Sequence, residues 1–162
     1  MKNLLTTLEG QGAKSPRSRF SDLEKTGLVT QEPTARNAAA LLVAITAPTA
    51  ADIAEYTLDR LNAANDQGRT FGDAMKAAFE LAPHETEVSQ VAICQNFPWM
   101  RVSYLNGDIQ EFTQADFQPQ GIRSDVVISG GTISILCLKL ARPTTSGWTD
   151  KIDNTGAGIE NA

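Results

Sequence analysis

The sequence contains little of the chemistry on which most enzymes depend: one histidine, two cysteines and only 6% aromatic residues. Two cysteines are too few for a disulfide framework or a four-thiolate zinc site. A serine or cysteine nucleophile would have to use the single histidine as its base. No phosphate-binding glycine loop, dinucleotide fingerprint or Gly-x-Ser-x-Gly motif occurs. We therefore predict a protein that is not an enzyme and that holds neither a cofactor nor a metal ion.

Long apolar runs are also missing. The longest run, 38–45, is far shorter than the ~20 residues that span a bilayer. The first residues are too polar to resemble a signal peptide. We accordingly expect a protein that is made in the cytoplasm and has no membrane partner.

Positive charge is scarce, and the net charge is −5. Residues 82–162 carry five basic against nine acidic side chains, which would repel a nucleic-acid backbone. The local exception is 14–19, where Lys14, Arg17 and Arg19 occur without an acidic residue. Either these residues form an arm that docks on an acidic partner or on nucleic acid, or they belong to a solvated terminus.

Composition divides the chain into three parts. Its 162 residues suit one domain. Residues 1–33 are polar, with apolar residues singly or in pairs, and are predicted to form an extended N-terminal arm with one or two helical turns. Residues 34–140 are predicted to form a single α+β domain. Residues 141–162, rich in Thr, Ser, Gly and Asn, are predicted to form an extended C-terminal tail.

Helical periodicity dominates 34–82, where we predict three helices. The first covers about 35–46 and ends before Pro48. The second begins at Thr49, with Arg60 on its solvated face. The third begins at the N-cap Thr70 and carries an apolar stripe from Phe71 to Ala82.

Strand periodicity replaces helical periodicity over 91–140, where we predict an antiparallel sheet of two hairpins. Asn106-Gly107 favours a two-residue type I′ turn, which would place Tyr104 opposite Ile109. Gly130-Gly131 is interpreted as the second turn, with a returning strand over 132–140. The predicted class is α+β, with the three-helix segment packed on this sheet.

Two groups of polar or thiol side chains leave alternatives open. Cys94 and Cys137 are either buried thiols or one bridge between strands. His84, with Glu85 and Glu87, belongs to an exposed linker or to a weak metal site.

Large apolar side chains concentrate in one place. Phe97, Trp99 and Met100 either plug the core or form an exposed anchor for a partner. Trp148 stands alone in the polar tail, where it either folds back onto the domain or anchors into a neighbour.

These patterns predict a non-enzymatic structural subunit of a multi-protein assembly, with a phage or virus virion as the favoured particle. Its terminal arms would contact neighbouring subunits in a homo-oligomer or a hetero-assembly, and it would reside in the particle. The alternative is a cytoplasmic binding or regulatory module, with a groove for a small ligand or peptide near Phe97 and Met100.

Overall fold

The computed structural model describes residues 1–118 and 121–140, which form six α-helices and one four-stranded antiparallel sheet. The predicted α+β class is confirmed. In chain order the elements are α1 (Lys2–Gly10), α2 (Pro16–Lys25), α3 (Ala35–Ala44), α4 (Ile53–Asn62), α5 (Phe71–Glu80), β1 (Val88–Cys94), β2 (Trp99–Tyr104), β3 (Ile109–Thr113), β4 (Asp125–Ser129) and α6 (Gly130–Cys137). The predicted C-terminal tail, 141–162, lies outside the described residues.

The helices cover one face of the sheet, whose strand order is β3-β2-β1-β4. Val91, Ile93, Met100 and Phe112 point into one large core that contains residues of all six helices. Side chains of the opposite face belong to a separate small cluster of Ala92, Cys94, Trp99 and Phe97, which contains no helical residue. The sheet is therefore sided, as expected for antiparallel strands. No helix in the described ranges is long and apolar enough to cross a membrane.

The prediction of an extended arm at 1–33 is wrong. These residues form α1 and α2, whose apolar side chains are part of the core. The spacing of the buried residues is helical, which composition alone did not reveal: Leu4, Leu5, Leu8, Phe20 and Leu23. Pro16 begins α2 at a position where proline is favoured, after Ser15.

Replacing Leu4 by alanine is expected to lower the free energy of unfolding by about 2–5 kcal/mol, because the side chain is fully buried. Leu105→Ala is the matched control, since Leu105 is exposed in the β2–β3 turn, and should change it by less than about 0.5 kcal/mol. Urea unfolding measures both. Equal effects would mean that α1 does not belong to the cooperative core.

Two of the predicted helices begin where the sequence analysis places them, at Ala35 and directly after the N-cap Thr70. The Thr34 hydroxyl accepts from the Asn37 N–H (3.2 Å), and the Thr70 hydroxyl accepts from the Asp73 N–H (3.1 Å). The helix predicted from Thr49 instead begins at Ile53. Arg60, which is predicted on the solvated face of this helix, is instead buried together with Ile53 and Thr57.

The β2–β3 hairpin is present, but its turn differs from the prediction. Ile109 pairs with Ser103, not with Tyr104, and the Tyr104 N–H donates to the Asp108 carbonyl at 2.9 Å. The loop therefore holds three residues and ends on Gly107 at φ 94. A type I turn followed by a left-handed glycine has this form, and glycine adopts that φ without strain.

The second predicted hairpin is wrong. Residues 130–137 form α6, and β4 pairs with β1, where Val126 opposes Ile93 and Ile128 opposes Val91. The Ser129 hydroxyl accepts from the Thr132 N–H at 3.2 Å and caps the helix. The buried residues that follow are spaced as in a helix, not a strand: Ile133, Leu136, Cys137 and Leu140.

Candidate functional site

A groove of about 560 Å³ opens beside β4, between the sheet and the first helices. It is bounded by the α1–α2 loop at 11–14, by 45–48 after α3, by Gln95 and by 126–129 of β4. Much of the lining is apolar: Leu8, Leu42, Ile45, Ala47, Val126, Val127 and Ile128. The groove thus combines apolar side chains with a strand backbone along one wall, which is the environment that extended protein segments use for binding.

Among the described residues, no strand pairs with the outer edge of β4, which borders this groove. The Gln95 N–H donates to the Ser124 carbonyl at 2.7 Å, so these two residues form a hydrogen-bonded pair just before β4. Because such pairs alternate along an antiparallel ladder, the backbone groups of Val126 and Ile128 face β1. Those of Val127 face outward, where no other described strand is paired.

At the opposite edge of the sheet, another segment of the chain pairs with part of the edge strand β3. Ala64 exchanges two backbone hydrogen bonds with Thr113 of β3, at 3.0 and 3.1 Å. Within 1–118 and 121–140, no segment covers β4 in this way. Val127 is also 57% exposed. An uncovered edge beside apolar surface is a template for pairing with another segment.

The predicted basic cluster at 14–19 is divided by the structure. Arg17 donates to Glu9 at 2.8 Å and to the Thr6 hydroxyl at 3.0 Å, so it clamps α2 to α1. Arg19 is partly buried and donates to the carbonyls of Ala47, at 3.2 Å, and Thr49. Two of the three cations therefore hold the domain together, which sequence reasoning did not foresee.

The groove itself carries positive charge without a matching negative one. Lys14 and Arg19 both line it, and no aspartate or glutamate does. Neither cation forms an ion pair with a described residue. In a chain with 19 acidic side chains, this local excess favours a ligand that carries a carboxylate.

One end of the groove rests on a buried arginine. Arg60 is 4% exposed, and its guanidinium donates to the carbonyls of Cys94 (2.8 and 3.0 Å), Gln95 (3.0 Å) and Phe97 (3.1 Å). It also lies 3.5 Å from the centroid of the Tyr56 ring. These carbonyls replace the hydration of the cation and hold the turn after β1.

Burial changes the acidity of both members of this stack. Desolvation lowers the pKa of Arg60 below its ordinary value, and the nearby Tyr56 partly opposes this shift. Desolvation raises the pKa of Tyr56, and its hydrogen bond with Thr46 opposes this shift. The guanidinium keeps its charge, because arginine does not lose its proton in proteins.

Gln95 links this turn to the groove. Its side-chain amide donates to the Thr46 carbonyl at 2.8 Å, and its Oε1 accepts from the Ser124 hydroxyl at 3.1 Å. Arg60 therefore positions Gln95, which in turn holds the end of α3 near the start of β4. The sequence signal for Arg60 was its spacing from Ile53 and Thr57, which share its buried face.

The Phe97–Met100 cluster does not line this groove. Met100 is 0% exposed in the main core, Trp99 is buried in the small cluster, and Phe97 is half-buried beside it. The interpretation as a core plug therefore fits Trp99 and Met100. Burial leaves these two side chains no surface with which to anchor a partner.

An arginine covers Trp99 from the solvent side. The Arg123 guanidinium lies 3.3 Å from the centroid of the Trp99 ring and 2.6 Å from a carboxylate oxygen of Asp125. That hydrogen-bonded pair lowers the pKa of Asp125 and raises the pKa of Arg123. With Arg101 paired to Glu111 at 2.7 Å, this patch is balanced in charge.

The remaining candidates have plain environments. Cys94 and Cys137 are both buried, and no disulfide joins them. The His84 side chain is 82% exposed, and no group of described histidine, cysteine, aspartate or glutamate residues is placed to hold a metal ion. Trp148 lies outside the described residues.

No family model, curated protein or solved structure matches this chain.

Proposed function

We propose that the protein is a non-enzymatic interaction subunit of a multi-protein assembly, which binds an extended segment of a neighbouring subunit along β4. One observation carries this proposal: the free edge of β4 opens into an apolar groove whose charged side chains are both cations. Backbone hydrogen bonds between β4 and the bound segment would supply affinity, while the groove would give specificity for the side chains of that segment.

The proposed partners are other copies of the chain or other subunits of the same particle. A phage or virus virion is the particle that the composition favours, and this rests on analogy. Nucleic acid is disfavoured as a partner, because Arg17 and Arg19 are engaged within the domain and Lys14 alone remains unpaired among the described basic residues at 14–19. The N-terminal helices contribute Leu8 and Arg19 to the proposed interface, together with the loop at 11–14 that joins them.

Association through β4 is expected to be sensitive to Val127→Pro. Proline removes the outward N–H of Val127 and leaves the bonds to β1 intact, because edge strands tolerate proline where the N–H faces outward. The dissociation constant for self-association should rise about tenfold or more. Light scattering and sedimentation of the full chain over a range of concentrations measure the mass, which should exceed the 17.4 kDa of one chain.

Ile109→Pro is the matched control. Ile109 lies on the other edge strand, is similarly exposed at 59%, and has its backbone groups facing outward by the same alternation. It should leave the association unchanged. A wild-type chain that stays monomeric at every concentration, or an association equally weakened by both prolines, would refute self-association through β4.

A further inference from the structure

The chain itself contains a segment with the chemistry that the groove requires. Residues 148–153 read Trp-Thr-Asp-Lys-Ile-Asp, in which two large apolar residues, Trp148 and Ile152, alternate with the carboxylate of Asp150. In an extended conformation these three side chains fall on one side. The groove offers apolar lining for the first two and the cations Lys14 and Arg19 for the third.

We propose that residues 148–153 of a second copy of this chain bind the groove beside β4. This inference rests on the proposed function and names the neighbouring segment. Backbone groups of the bound segment would pair with those of Val127, and Asp150 would approach Lys14. The same chain would thus carry both halves of the contact, a donated segment and an accepting groove, which is the arrangement of a heterologous interface.

The tail leaves the described part of the chain at a point away from the groove, so a second copy can supply the segment. Ser129 and Thr132, at the start of α6, line the groove, while Cys137 near its end contacts the Ala78 carbonyl of α5. The rise of a helix places Leu140 roughly 12 Å beyond Thr132. Leu140, the last residue before the tail, therefore lies at the end of α6 remote from the groove. The residues between Leu140 and Trp148 could span roughly 25 Å if extended, enough to bring the segment to a neighbouring molecule.

Photo-cross-linking of the full chain tests this inference. Trp148 is replaced by p-benzoylphenylalanine, and unlabelled chains are mixed with ¹⁵N-labelled chains before irradiation. Mass spectrometry should find mixed-isotope cross-links from position 148 to 126–129 or 11–14. The same photoreactive residue at Leu138, which is exposed on the described part of the chain, is the control and should not label the groove.

Two substitutions in the groove sharpen the test. Val127→Pro and Lys14→Glu should each lower the yield of those cross-links at least about tenfold, the effect of losing one well-placed contact. Lys76→Glu is the matched charge control, because Lys76 is exposed on α5 and lies outside this groove. It should leave the yield unchanged.

Each outcome is informative. Cross-links that form only within one chain, that fall outside the groove, or that survive Val127→Pro would overturn the inference. If they fail while the full chain still assembles, the proposed function stands and only the identity of the segment is wrong. If neither cross-links nor assembly occurs, both proposals fail.

Discussion

Gly130→Ala is expected to destabilise the protein by about 3 kcal/mol or more, at the upper end of the cost of overpacking. A Cβ at Gly130 would lie 2.0 Å from the Val88 carbonyl oxygen and 3.0 Å from that of Ser89. Both atoms are backbone atoms of β1, a central strand paired on both sides. They cannot move away without breaking the ladder, so α6 would have to shift out of the core.

The adjacent glycine provides a matched control. A Cβ at Gly131 would meet only the Ser129 hydroxyl, at 3.7 Å. Gly131→Ala should therefore be neutral or stabilise by up to about 1 kcal/mol, since alanine favours the helix. Chemical unfolding of both variants gives the comparison. Similar stabilities would show that α6 does not pack on β1 as closely as described here.

Arg60→Met is expected to lower the free energy of unfolding by about 3–5 kcal/mol, which is the effect of removing one partner from a buried ion pair. The methionine fills part of the same volume but removes the Arg60 donors from the carbonyls of Cys94 and Gln95, and one of the two donors from that of Phe97. Each unsatisfied buried acceptor costs about 1–3 kcal/mol, less whatever water recovers. Arg60→Lys should also destabilise strongly, because a lysine ammonium cannot reproduce the planar fork.

Fluorescence provides a second readout for the same variants. The backbone N–H of Trp99 donates to the Phe97 carbonyl at 2.8 Å, so Trp99 is tied to the turn that Arg60 holds. Loosening that turn should therefore change the environment of the Trp99 indole and its fluorescence. Arg36→Met is the control, because Arg36 is exposed near the start of α3. It should leave both stability and emission nearly unchanged. An Arg60→Met variant as stable as wild type would show that the turn holds without the guanidinium.

Local sequence patterns predicted the structure correctly where the hydrogen bonds within one turn favour a single conformation. Thr34 and Thr70 mark helix starts, because their hydroxyls satisfy N–H groups within the same turn. Asn106-Gly107 marks a hairpin, although its register depends on whether Asn106 adopts a positive φ. It does not, so Gly107 alone takes the left-handed position and the register shifts by one residue.

Signals failed where two structures share one pattern. Residues 130–140 satisfy strand alternation and helical spacing alike, and the choice of a helix rests on close packing of Gly130 against β1. Residues 1–33 are too polar in composition to be recognised as part of a core. A few apolar residues at helical spacing are nevertheless enough to bury one face of α1 and α2, because these helices pack against α6 and α3. Arg60 looked solvated because its acceptors lie about 34 residues away.

The amino-acid sequence alone could not predict the candidate groove. The sequence marks Lys14 and Arg19 as part of a basic cluster, but nothing in the sequence around Val127 or Gln95 indicates a binding site. Their role arises because β4 joins the sheet at its outer edge and brings an unpaired backbone beside the α1–α2 loop.

By itself, the sequence determined the α+β class, the starts of two helices and the presence of one hairpin, because hydrophobic period, caps and turns act over a few residues. Only the tertiary structure decided that the N-terminal residues complete the core, that α6 is a helix and that the outer edge of β4 has no partner among the described residues. Those outcomes depend on contacts between residues far apart in the chain, whose energies no local pattern contains.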